Sequence, residues 1–473
     1  MAEPLWHIDE VLAATGGALH GEVSVPLDGV SIDSRDVAPG DIFIAIKGER
    51  VDGHDFVAAA LAAGAGLAIV SQSSAEMRAA GAVLEVGDDP LRALEALGRA
   101  ARQRSKAQVV AVTGSVGKTS TKEMLRTALS ASGTTHASAK SFNNHWGVPL
   151  TLARLRRENA FAIFEVGMNH AGEIMPLVGM VRPYVAIVTS IAASHLGHFA
   201  SLSDIAKAKA EIFTGVEPGG AAVICRDTPH FEFLAAEAAR CGIGTVKSFG
   251  EHPDADVRLE QVALHPSFCC ITARVMGERM AYRLGLAGRH MAVNSLAVLA
   301  TAKLVGADLA RGGLALSEAR PAAGRGVQQT LQHAGGRIEL LDESYNANPA
   351  SVKAALALLA NMRPGKGGRK VAILGDMLEL GEFGPELHKA IAGDLSVNGI
   401  DRLYACGPLM DNLWRATPDA VKGAYAKTSA ELVPMILAGL VPGDCVMVKG
   451  SLGSRMGLIV EAMRKAWPQK TEI

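Results

Sequence analysis

The sequence lacks the features that mark secreted or membrane-spanning proteins. Its six cysteines form no C-x-x-C pair and no even ladder of spacings, which argues against a disulfide framework or a zinc finger. The first residues, MAEPLWHIDEV, contain no basic segment followed by an apolar core. The longest uncharged apolar run, from Ala58 to Val70, is shorter than the ~20 residues that span a bilayer. We therefore expect a soluble, cytoplasmic protein.

An excess of charge of one sign is also missing. The chain has 47 basic and 48 acidic side chains, a formal net charge of −1. No overall field therefore favours nucleic acid or an anionic membrane surface, and an anionic ligand must be held by a local site. What the chain does have is length and apolar content: 473 residues, 49% of them hydrophobic, predict about three domains with well-filled cores.

Three blocks follow one another along the chain. Residues 1–100 contain short β-like runs (Val30 to Val37 and Gly40 to Gly48) and an alanine-rich helical pattern from Asp55 to Ala65. In residues 101–312, apolar strands alternate with helices, which is typical of a parallel sheet covered on both faces. Residues 313–473 repeat this pattern with strands such as KVAILGD and CVMVKG. The predicted fold class is α/β with three domains.

A phosphate-binding turn is the clearest motif. The segment VTGSVGKTS follows a predicted strand and begins a helix. Its glycines let backbone N–H groups face a polyphosphate, its lysine can reach the β and γ oxygens, and its threonine can bind Mg²⁺. Val112 stands where the strict Walker pattern has glycine, so the match is to a shortened variant. The predicted nucleotide-binding residues of this turn are Gly114, Ser115, Val116, Gly117, Lys118, Thr119 and Ser120.

Two further side chains are expected near the triphosphate, because ligands of parallel sheets lie at the carboxyl ends of the strands. Glu165 ends the strand AFAIFEVG, and His195 follows the strand VAIVTSI. A carboxylate and a neutral imidazole can share one divalent cation. Lys207 and Lys209 lie two residues apart on a predicted helix and cannot share a face; helical periodicity alone favours solvated side chains for both.

Together these motifs resemble the Mur ligase family, ATP-dependent amide-forming enzymes of bacterial peptidoglycan synthesis. The segments that carry the resemblance occur in family order over nearly the whole chain: VTGSVGKTSTK, SFNNHWGVPLTL, FEVGMNHAGEI, SHLGHF, AKAKAEIF, GRHMAVN, DESYNANP, LGDMLELGEFG and VKGSLGSRM. The segments DESYNANP and LGDMLELGEFG are typical of the member that adds D-alanyl-D-alanine to a UDP-N-acetylmuramoyl-tripeptide. The resemblance implies a UDP-sugar-binding N-terminal domain, a central ATPase domain and a Rossmann-like C-terminal domain for the amino substrate.

The resemblance also implies a role for each matching residue, with ATP and Mg²⁺ as cofactors. Catalytic roles fall on Lys118, His195, Lys209 and Arg325, where Lys209 matches the carbamylated lysine of the family. Magnesium ligands would be Thr119, Glu165, His195 and Lys209. Besides the glycine turn, ATP would contact Asn294, Arg325, Asp342 and Glu343. The two other substrates would contact Ser34, Arg35, Asn143, Asn144, Asn346, Asn348, Asp376, Met377 and His388.

Two departures and three alternatives qualify this assignment. Met291 follows His290 where family members often have asparagine, and Glu343 stands where aspartate is frequent, so either Asp342 or Glu343 could bind the ribose. A sister ligase that adds one diamino acid, a folylpolyglutamate synthase, and a P-loop protein that hydrolyses ATP to exchange partners remain as alternatives. We expect a monomer that has no nucleic-acid partner and does not insert into a membrane. Lysine and meso-diaminopimelate remain open as the third residue of the tripeptide.

Overall fold

The computed structural model describes residues 3–48, 50–139, 141–194 and 196–469. These residues form three sheets of five, nine and six strands, one after another along the chain. The predicted α/β class with three units is confirmed. Within these ranges, no helix combines the length and the apolar character that crossing a membrane requires.

The first sheet has the strand order β1-β5-β4-β3-β2. Strands β2 to β5 are parallel and β1 is antiparallel to β5. Its strands are β1 (Ala18–His20), β2 (Gly29–Ser31), β3 (Asp41–Ile44), β4 (Leu67–Val70) and β5 (Val83–Glu85). The helices of this unit are α1 (Ile8–Thr15), α2 (Val57–Ala62), α3 (Ala75–Ala80) and α4 (Pro90–Arg104). Helix α4 begins where Asp89 accepts the backbone N–H of Leu91 and proline occupies the first turn.

The central sheet has the order β14-β13-β12-β11-β10-β9-β6-β8-β7. Its strands are β6 (Gln108–Thr113), β7 (Thr135–Ala137), β8 (Phe161–Glu165), β9 (Val185–Val188), β10 (Ala221–Cys225), β11 (Thr245–Gly250), β12 (Val257–Leu264), β13 (Cys269–Val275) and β14 (Glu278–Leu284). The helices are α5 (Lys118–Ser130), α6 (Gly147–Ala153), α7 (Ile174–Val181), α8 (Leu202–Ala210), α9 (Phe231–Arg240), α10 (Arg289–Leu304) and α11 (Leu309–Ala315).

The third sheet has the order β15-β16-β20-β17-β18-β19, and only the pair β15–β16 is antiparallel. Its strands are β15 (Val327–His333), β16 (Gly336–Glu343), β17 (Lys370–Gly375), β18 (Arg402–Cys406), β19 (Lys422–Ala426) and β20 (Cys445–Lys449). The helices are α12 (Pro349–Asn361), α13 (Gly384–Val397), α14 (Met410–Ala416), α15 (Ser429–Gly439) and α16 (Gly457–Ala466).

Strand β6 explains why the central strands are continuous apolar runs. Val109 and Ala111 belong to one buried cluster, while Val110 and Val112 belong to another. Successive side chains of a strand point to opposite faces, so a strand covered by helices on both sides has no polar face. The predicted parallel sheet is therefore present, but strands β12, β13 and β14 extend it as an antiparallel meander that the sequence analysis did not predict.

The predicted domain limits fall inside helices. Residue 100 lies within α4 and residue 312 within α11. Helix α11 packs against α5 of the central unit, so it belongs with that unit. We propose that the domains instead change at the short connections 105–107 and 319–326, between the last helix of one unit and the first strand of the next.

The N-terminal and central units share one core. A single cluster of buried side chains runs from Leu5 to Ile243 and includes residues of both sheets. At their junction, the indole N–H of Trp6 donates to the Ala153 carbonyl at 2.9 Å, and the Arg104 guanidinium lies 3.8 Å from the Trp6 ring. Glu10 forms ion pairs with Arg104 and Arg157.

Candidate active site

A cavity of about 820 Å³ lies between the central and C-terminal units. The carboxyl ends of parallel strands border it, which is the usual place for ligands of such sheets. One wall consists of residues 115–120 and Glu165 of the central unit. The facing wall includes Arg325, Glu343 and Lys449. The cavity therefore brings together residues from distant parts of the sequence.

The glycine turn has the geometry of a phosphate-binding loop. Gly114 and Gly117 have φ of 146° and 88°, which side chains rarely adopt. Space excludes side chains too: a Cβ on Gly114 would lie 2.0 Å from Thr189 Oγ1, and one on Gly117 would lie 2.6 Å from Asn294 Nδ2. The turn can bring backbone N–H groups close to an anion because it carries no side chains at these two positions.

Lys118 starts α5, and its side chain folds back over the turn. Its Nζ donates to the Gly114 carbonyl at 2.6 Å. Burial lowers the pKa of this ammonium, and Arg325 lowers it further, whereas the Glu165 carboxylate acts in the opposite direction. A positively charged group held over a phosphate turn can stabilise the negative charge that develops on the γ-phosphate during its transfer.

Glu165 is fixed by two neighbours on the same wall. Its Oε2 accepts from Thr119 Oγ1 at 2.9 Å, and its Oε1 accepts from Asn143 Nδ2 at 2.8 Å. Thr119 and Glu165 are both buried. These are oxygen donors of the kind that Mg²⁺ prefers. Asn144, also in the cavity wall, instead caps α6 by accepting the Gly147 N–H at 2.9 Å.

The two lysines of α8 have different environments. Lys207 is 64% exposed and pairs with Asp204, whereas Lys209 is only 1% exposed. Burial lowers the pKa of Lys209 well below its ordinary value, and the charge of Lys118 acts in the same direction. The expectation from periodicity that both lysines are solvated is therefore wrong for Lys209.

Arg325 contributes to the cavity from the connection between the central and C-terminal units. Its guanidinium lies 4.1 Å from the ring centre of Tyr345, and its Nη2 is 3.5 Å from Ser141 Oγ of the central unit. The arginine thereby faces the glycine turn from the opposite wall. Sequence analysis missed Tyr345, although it lies in the DESYNANP segment beside the acidic residues.

The two adjacent acids Asp342 and Glu343 separate in the structure. Asp342 accepts from Ser344 Oγ at 2.6 Å and pairs with Arg464 at 3.0 Å, and it does not line the cavity. Glu343 lines the cavity and pairs with the buried Lys449 at 3.0 Å. Of the two acids, therefore, Glu343 faces the cavity, and Asp342 is held away from it by Ser344 and Arg464.

The asparagines of DESYNANP lie in the cavity wall, and the residues of the next motif lie behind it. Asn346 and Asn348 line the cavity, and Asn348 also caps α12. Asp376, Met377 and His388 are buried and do not line it. The three lie behind a loop whose members Leu378 and Glu379 line the cavity, so their contact with substrate stays a prediction.

His388 shows how this loop is supported. Its Nε2 accepts the Met377 N–H at 2.9 Å, and its Nδ1 is 2.7 Å from the Gly384 carbonyl. This pattern requires the neutral tautomer with hydrogen on Nδ1, and burial lowers the pKa of the imidazole. The histidine joins both ends of a loop that reaches the central unit, where Gly197 N–H donates to the Glu379 carbonyl at 2.9 Å.

The remaining predicted residues lie away from the cavity or outside the described ranges. Ser34 and Arg35 follow β2 in the N-terminal unit, and Arg35 is exposed and paired with Asp33 at 2.7 Å. Asn294 lies on α10 against Gly117. His195 lies outside the described residues. In the described part of the chain, no three His, Cys, Asp or Glu side chains form a group that could hold a metal.

A phosphate turn, buried oxygen donors and a facing third unit define a nucleotide-using α/β enzyme. Three family descriptions match the chain: "Mur ligase family, catalytic domain" over residues 26–127, "Mur ligase middle domain" over 112–302, and "Mur ligase, glutamate ligase domain" over 329–452. The chain belongs to the Mur ligase family.

Individual relatives are similar over nearly their full length. The UDP-N-acetylmuramoyl-tripeptide–D-alanyl-D-alanine ligase of Escherichia coli is 36% identical over 97% of this chain and 99% of its own. The Bacillus subtilis ligase of the same name is 31% identical over 92% and 93%. MurF from Acinetobacter baumannii has a TM-score of 0.84 at 31% identity, covering 97% of this chain and 99% of its own. Another Acinetobacter baumannii structure, described as UDP-N-acetylmuramoylalanyl-D-glutamyl-2,6-diaminopimelate–D-alanyl-D-alanyl ligase, has a TM-score of 0.82 at 31% identity over 97% of this chain and 98% of its own.

Proposed function

We propose that the protein joins D-alanyl-D-alanine to UDP-N-acetylmuramoyl-tripeptide at the expense of ATP. The products are UDP-N-acetylmuramoyl-pentapeptide, ADP and phosphate. The observation that carries the proposal is the single cavity in which the phosphate turn of the central unit faces Arg325, Glu343 and the asparagines of DESYNANP. Full-length relatives named for this reaction support the same assignment.

ATP binds with its phosphates on the glycine turn and its nucleoside toward the C-terminal unit. Glu343 accepts hydrogen bonds from the ribose hydroxyls, and Lys449 keeps its carboxylate in place at 3.0 Å. Asn294, packed against Gly117, lies on the side where the adenine enters. Met291, on the same helix, lines the cavity.

Thr119 and Glu165 fit a magnesium ion, because both present oxygen atoms in a buried site next to the phosphate turn. Bound there, Mg²⁺ would neutralise charge on the β- and γ-phosphates. Asn143 holds the second oxygen of Glu165 and thereby fixes the orientation of the carboxylate. His195 and Lys209 are further proposed ligands of magnesium.

The first chemical step activates the tripeptide. A carboxylate cannot form an amide directly, because oxide is too poor a leaving group at neutral pH. An oxygen of the terminal carboxylate attacks the γ-phosphorus, the bond to the β-phosphate oxygen breaks, and ADP leaves an acyl phosphate behind. Lys118 and Arg325, on opposite walls, stabilise the charge on the transferred phosphoryl group.

In the second step the free amine of D-alanyl-D-alanine attacks the acyl carbon. The nitrogen loses a proton, the carbon–oxygen bond to phosphate breaks, and inorganic phosphate leaves. Acyl phosphates hydrolyse, so water must be excluded during this step. The loop supported by Asp376 and His388 reaches the central unit at Gly197 and closes this side of the cavity.

Lys209 is proposed to be carbamylated. Burial lowers the pKa of Lys209 well below its ordinary value, so its amine loses a proton more readily than that of an exposed lysine. Its nitrogen can attack CO₂ and release one proton, which replaces the amine by an anion able to bind metal. Lys207 on the same helix is exposed and keeps its charge, so it is not expected to react in the same way.

The N-terminal unit is proposed to hold the UDP group through Ser34 and Arg35, at the carboxyl end of β2. The central unit then binds ATP and the C-terminal unit binds the dipeptide. We also propose that the protein acts as a cytoplasmic monomer.

Phosphate release measured with ATP, Mg²⁺ and UDP-muramoyl tripeptide, with and without D-alanyl-D-alanine, tests the proposal. We expect dipeptide-dependent release together with a UDP-pentapeptide detected by mass. A single diamino acid or glutamate that replaces the dipeptide would instead identify a sister ligase. Release that is indifferent to both substrates would favour a P-loop ATPase and overturn the proposal.

A further inference from the structure

We propose that Glu379 binds the amino group of D-alanyl-D-alanine and orients its nitrogen toward the acyl carbon. Glu379 lies in the loop between β17 and α13, is exposed, and lines the cavity. The proposal rests on the proposed function, which assigns no residue to this amino group.

The backbone of Glu379 has an unfavourable conformation. Its φ of 63° lies in the left-handed region, where a glutamate is strained. Three other non-glycine residues in the described part of the chain have a positive φ. Arg182 and Arg455 follow the last turn of a helix, and Met276 lies in the tight turn between β13 and β14. Glu379 instead lies in the wall of the cavity, where strain that is retained points to a functional side chain.

Hydrogen bonds fix the loop around Glu379. The Leu378 N–H donates to Ser451 Oγ at 2.9 Å, within the C-terminal unit. The Glu379 carbonyl accepts the Gly197 N–H of the central unit at 2.9 Å. Gly381 lies so close to the same residue that a Cβ on Gly381 would be 2.8 Å from the Gly197 Cα. Glu379 is therefore held at a direct contact between the two units.

One connection of the central unit joins this contact to the phosphate turn. It follows β9, and two of its residues bind Ser115. The Ser190 carbonyl accepts the Ser115 N–H at 2.8 Å, and the Ala192 N–H donates to Ser115 Oγ at 3.0 Å. Gly197 lies further along the same connection. The acyl phosphate is proposed to form at the phosphate turn and the dipeptide to bind the C-terminal unit, so the attacking nitrogen must lie where the two units meet.

Charge also favours Glu379 as the partner of the amino group. The acidic residues of the described cavity wall are Glu95, Glu165, Glu173, Glu343 and Glu379. Of these, Glu343 and Glu379 belong to the C-terminal unit. Glu343 pairs with the buried Lys449 at 3.0 Å and is proposed to hold the ribose. Hydrogen bonds between an ammonium and a carboxylate are shorter and stronger than those between neutral groups. Glu379 therefore matches the one cationic group of the dipeptide.

Steady-state kinetics of UDP-pentapeptide formation, with each of the three substrates varied in turn, test this proposal. Glu379→Gln keeps the size of the side chain and removes its charge. We expect KM for D-alanyl-D-alanine to rise by roughly tenfold or more, while KM for ATP and for the UDP-tripeptide changes little. Glu382→Gln is the matched control, because Glu382 is exposed in the same loop and does not line the cavity. It should leave all three KM values unchanged.

An uncharged analogue separates binding of the amino group from a general effect on the loop. In this analogue a hydroxyl replaces the amino group of the dipeptide. Calorimetry with a non-hydrolysable ATP analogue and the UDP-tripeptide present should show that the unmodified enzyme binds the dipeptide roughly tenfold or more tightly than the analogue. Glu379→Gln should remove most of this difference.

Glu379→Gly tests whether the side chain or only the backbone matters. It should weaken dipeptide binding as Glu379→Gln does. Its melting temperature should stay nearly unchanged, because relief of the left-handed strain offsets the freedom that glycine has in the unfolded chain. A purely structural loop would instead keep its activity when glycine occupies this position.

The outcomes separate this proposal from the proposed function. If Glu379→Gln keeps the difference between dipeptide and analogue, or raises the three KM values equally, the assignment of Glu379 is wrong while the proposed function stands. Full activity of Glu379→Gly would also overturn it. If the unmodified enzyme forms no UDP-pentapeptide, the proposed function fails, and this proposal fails with it.

Discussion

The central unit packs against the N-terminal unit through a shared core. Against the C-terminal unit it makes polar contacts around the cavity and a few contacts of partly buried apolar side chains, such as Leu387 and Ala287. On the first side, Trp6, Glu10 and Arg104 join a cluster that extends through both sheets. On the second side, the buried clusters of the C-terminal unit begin only at Leu331. The first two units therefore form one body, and the third is attached through the surfaces that carry the chemistry. Stability and catalysis should accordingly respond to different changes.

The largest effect is expected at the shared core. Trp6 is almost completely buried, so Trp6→Ala should lower the free energy of unfolding by about 3–5 kcal/mol. Calorimetry should show one transition for the N-terminal and central units moving to lower temperature, with the transition of the C-terminal unit unchanged. Trp414→Ala, in the C-terminal unit, is the control and should shift the other transition. If the N-terminal unit instead shows a small transition of its own, and Trp6→Ala removes only that transition, the two units do not form one body.

The interface between the central and C-terminal units should show the reverse pattern, with a large effect on catalysis and a small effect on stability. Arg325→Ala removes the guanidinium that reaches across to Ser141, so kcat should fall by about 10²–10³-fold. The melting temperature should change by no more than about 1 °C, since few packed atoms are lost. Arg311→Ala is the control, because Arg311 is 72% exposed on α11. A large loss of stability with little change in kcat would show that this interface is structural.

A smaller effect is expected when the loop behind the cavity loses its support. His388→Ala removes the acceptor of the Met377 N–H, so KM for D-alanyl-D-alanine should rise by roughly tenfold while KM for ATP changes little. In the unmodified enzyme the same KM should rise as the pH falls below the lowered pKa of His388, because a protonated imidazole cannot accept that bond. His252→Ala, on the surface of the central unit, should show neither change. Equal increases in both KM values would contradict a specific role for the loop.

The smallest effect is expected for the stability contribution of Lys209, which lies in the body formed by the N-terminal and central units. Before carbamylation, the pKa of Lys209 is lowered in the folded protein, so the unfolded chain binds the extra proton between that value and about 10.4, and the stability of the unmodified protein rises with pH across this window. Lys209→Met should remove this dependence and raise the melting temperature within this window by about 2 °C. Lys207→Met should change neither quantity. A destabilised Lys209→Met variant at pH 7 would show that the folded protein keeps this lysine charged.

The phosphate turn was predictable because its chemistry depends on local sequence. Two glycines, a lysine and a threonine between a strand and a helix leave few other conformations, and the structure places Lys118 and Thr119 accordingly. The strands β6, β8 and β9 were equally clear as apolar runs. The meander β12 to β14 was missed: alternating polar and apolar residues extend an otherwise parallel sheet there, and the prediction followed the succession of apolar strands and helices.

The rest of the site depends on tertiary contacts that the sequence does not show. The local sequence does not show which of Asp342 and Glu343 faces the cavity. In the structure Asp342 is bound by Arg464 and Ser344, whereas Glu343 is bound by Lys449. Lys209 differs from Lys207 only by the face of α8 on which it lies. In each case the role is decided by which element packs against the residue.

The contact between Trp6 and Ala153 has a consequence for synthesis of the chain. The two residues are 147 positions apart, so the start of the protein leaves the ribosome long before its partner exists. At about 5–20 residues per second, this interval is roughly 7–30 s. During that time the Trp6 ring and its apolar neighbours are exposed, and the N-terminal sheet cannot complete its packing. The first unit to be made is therefore completed only after much of the second has emerged.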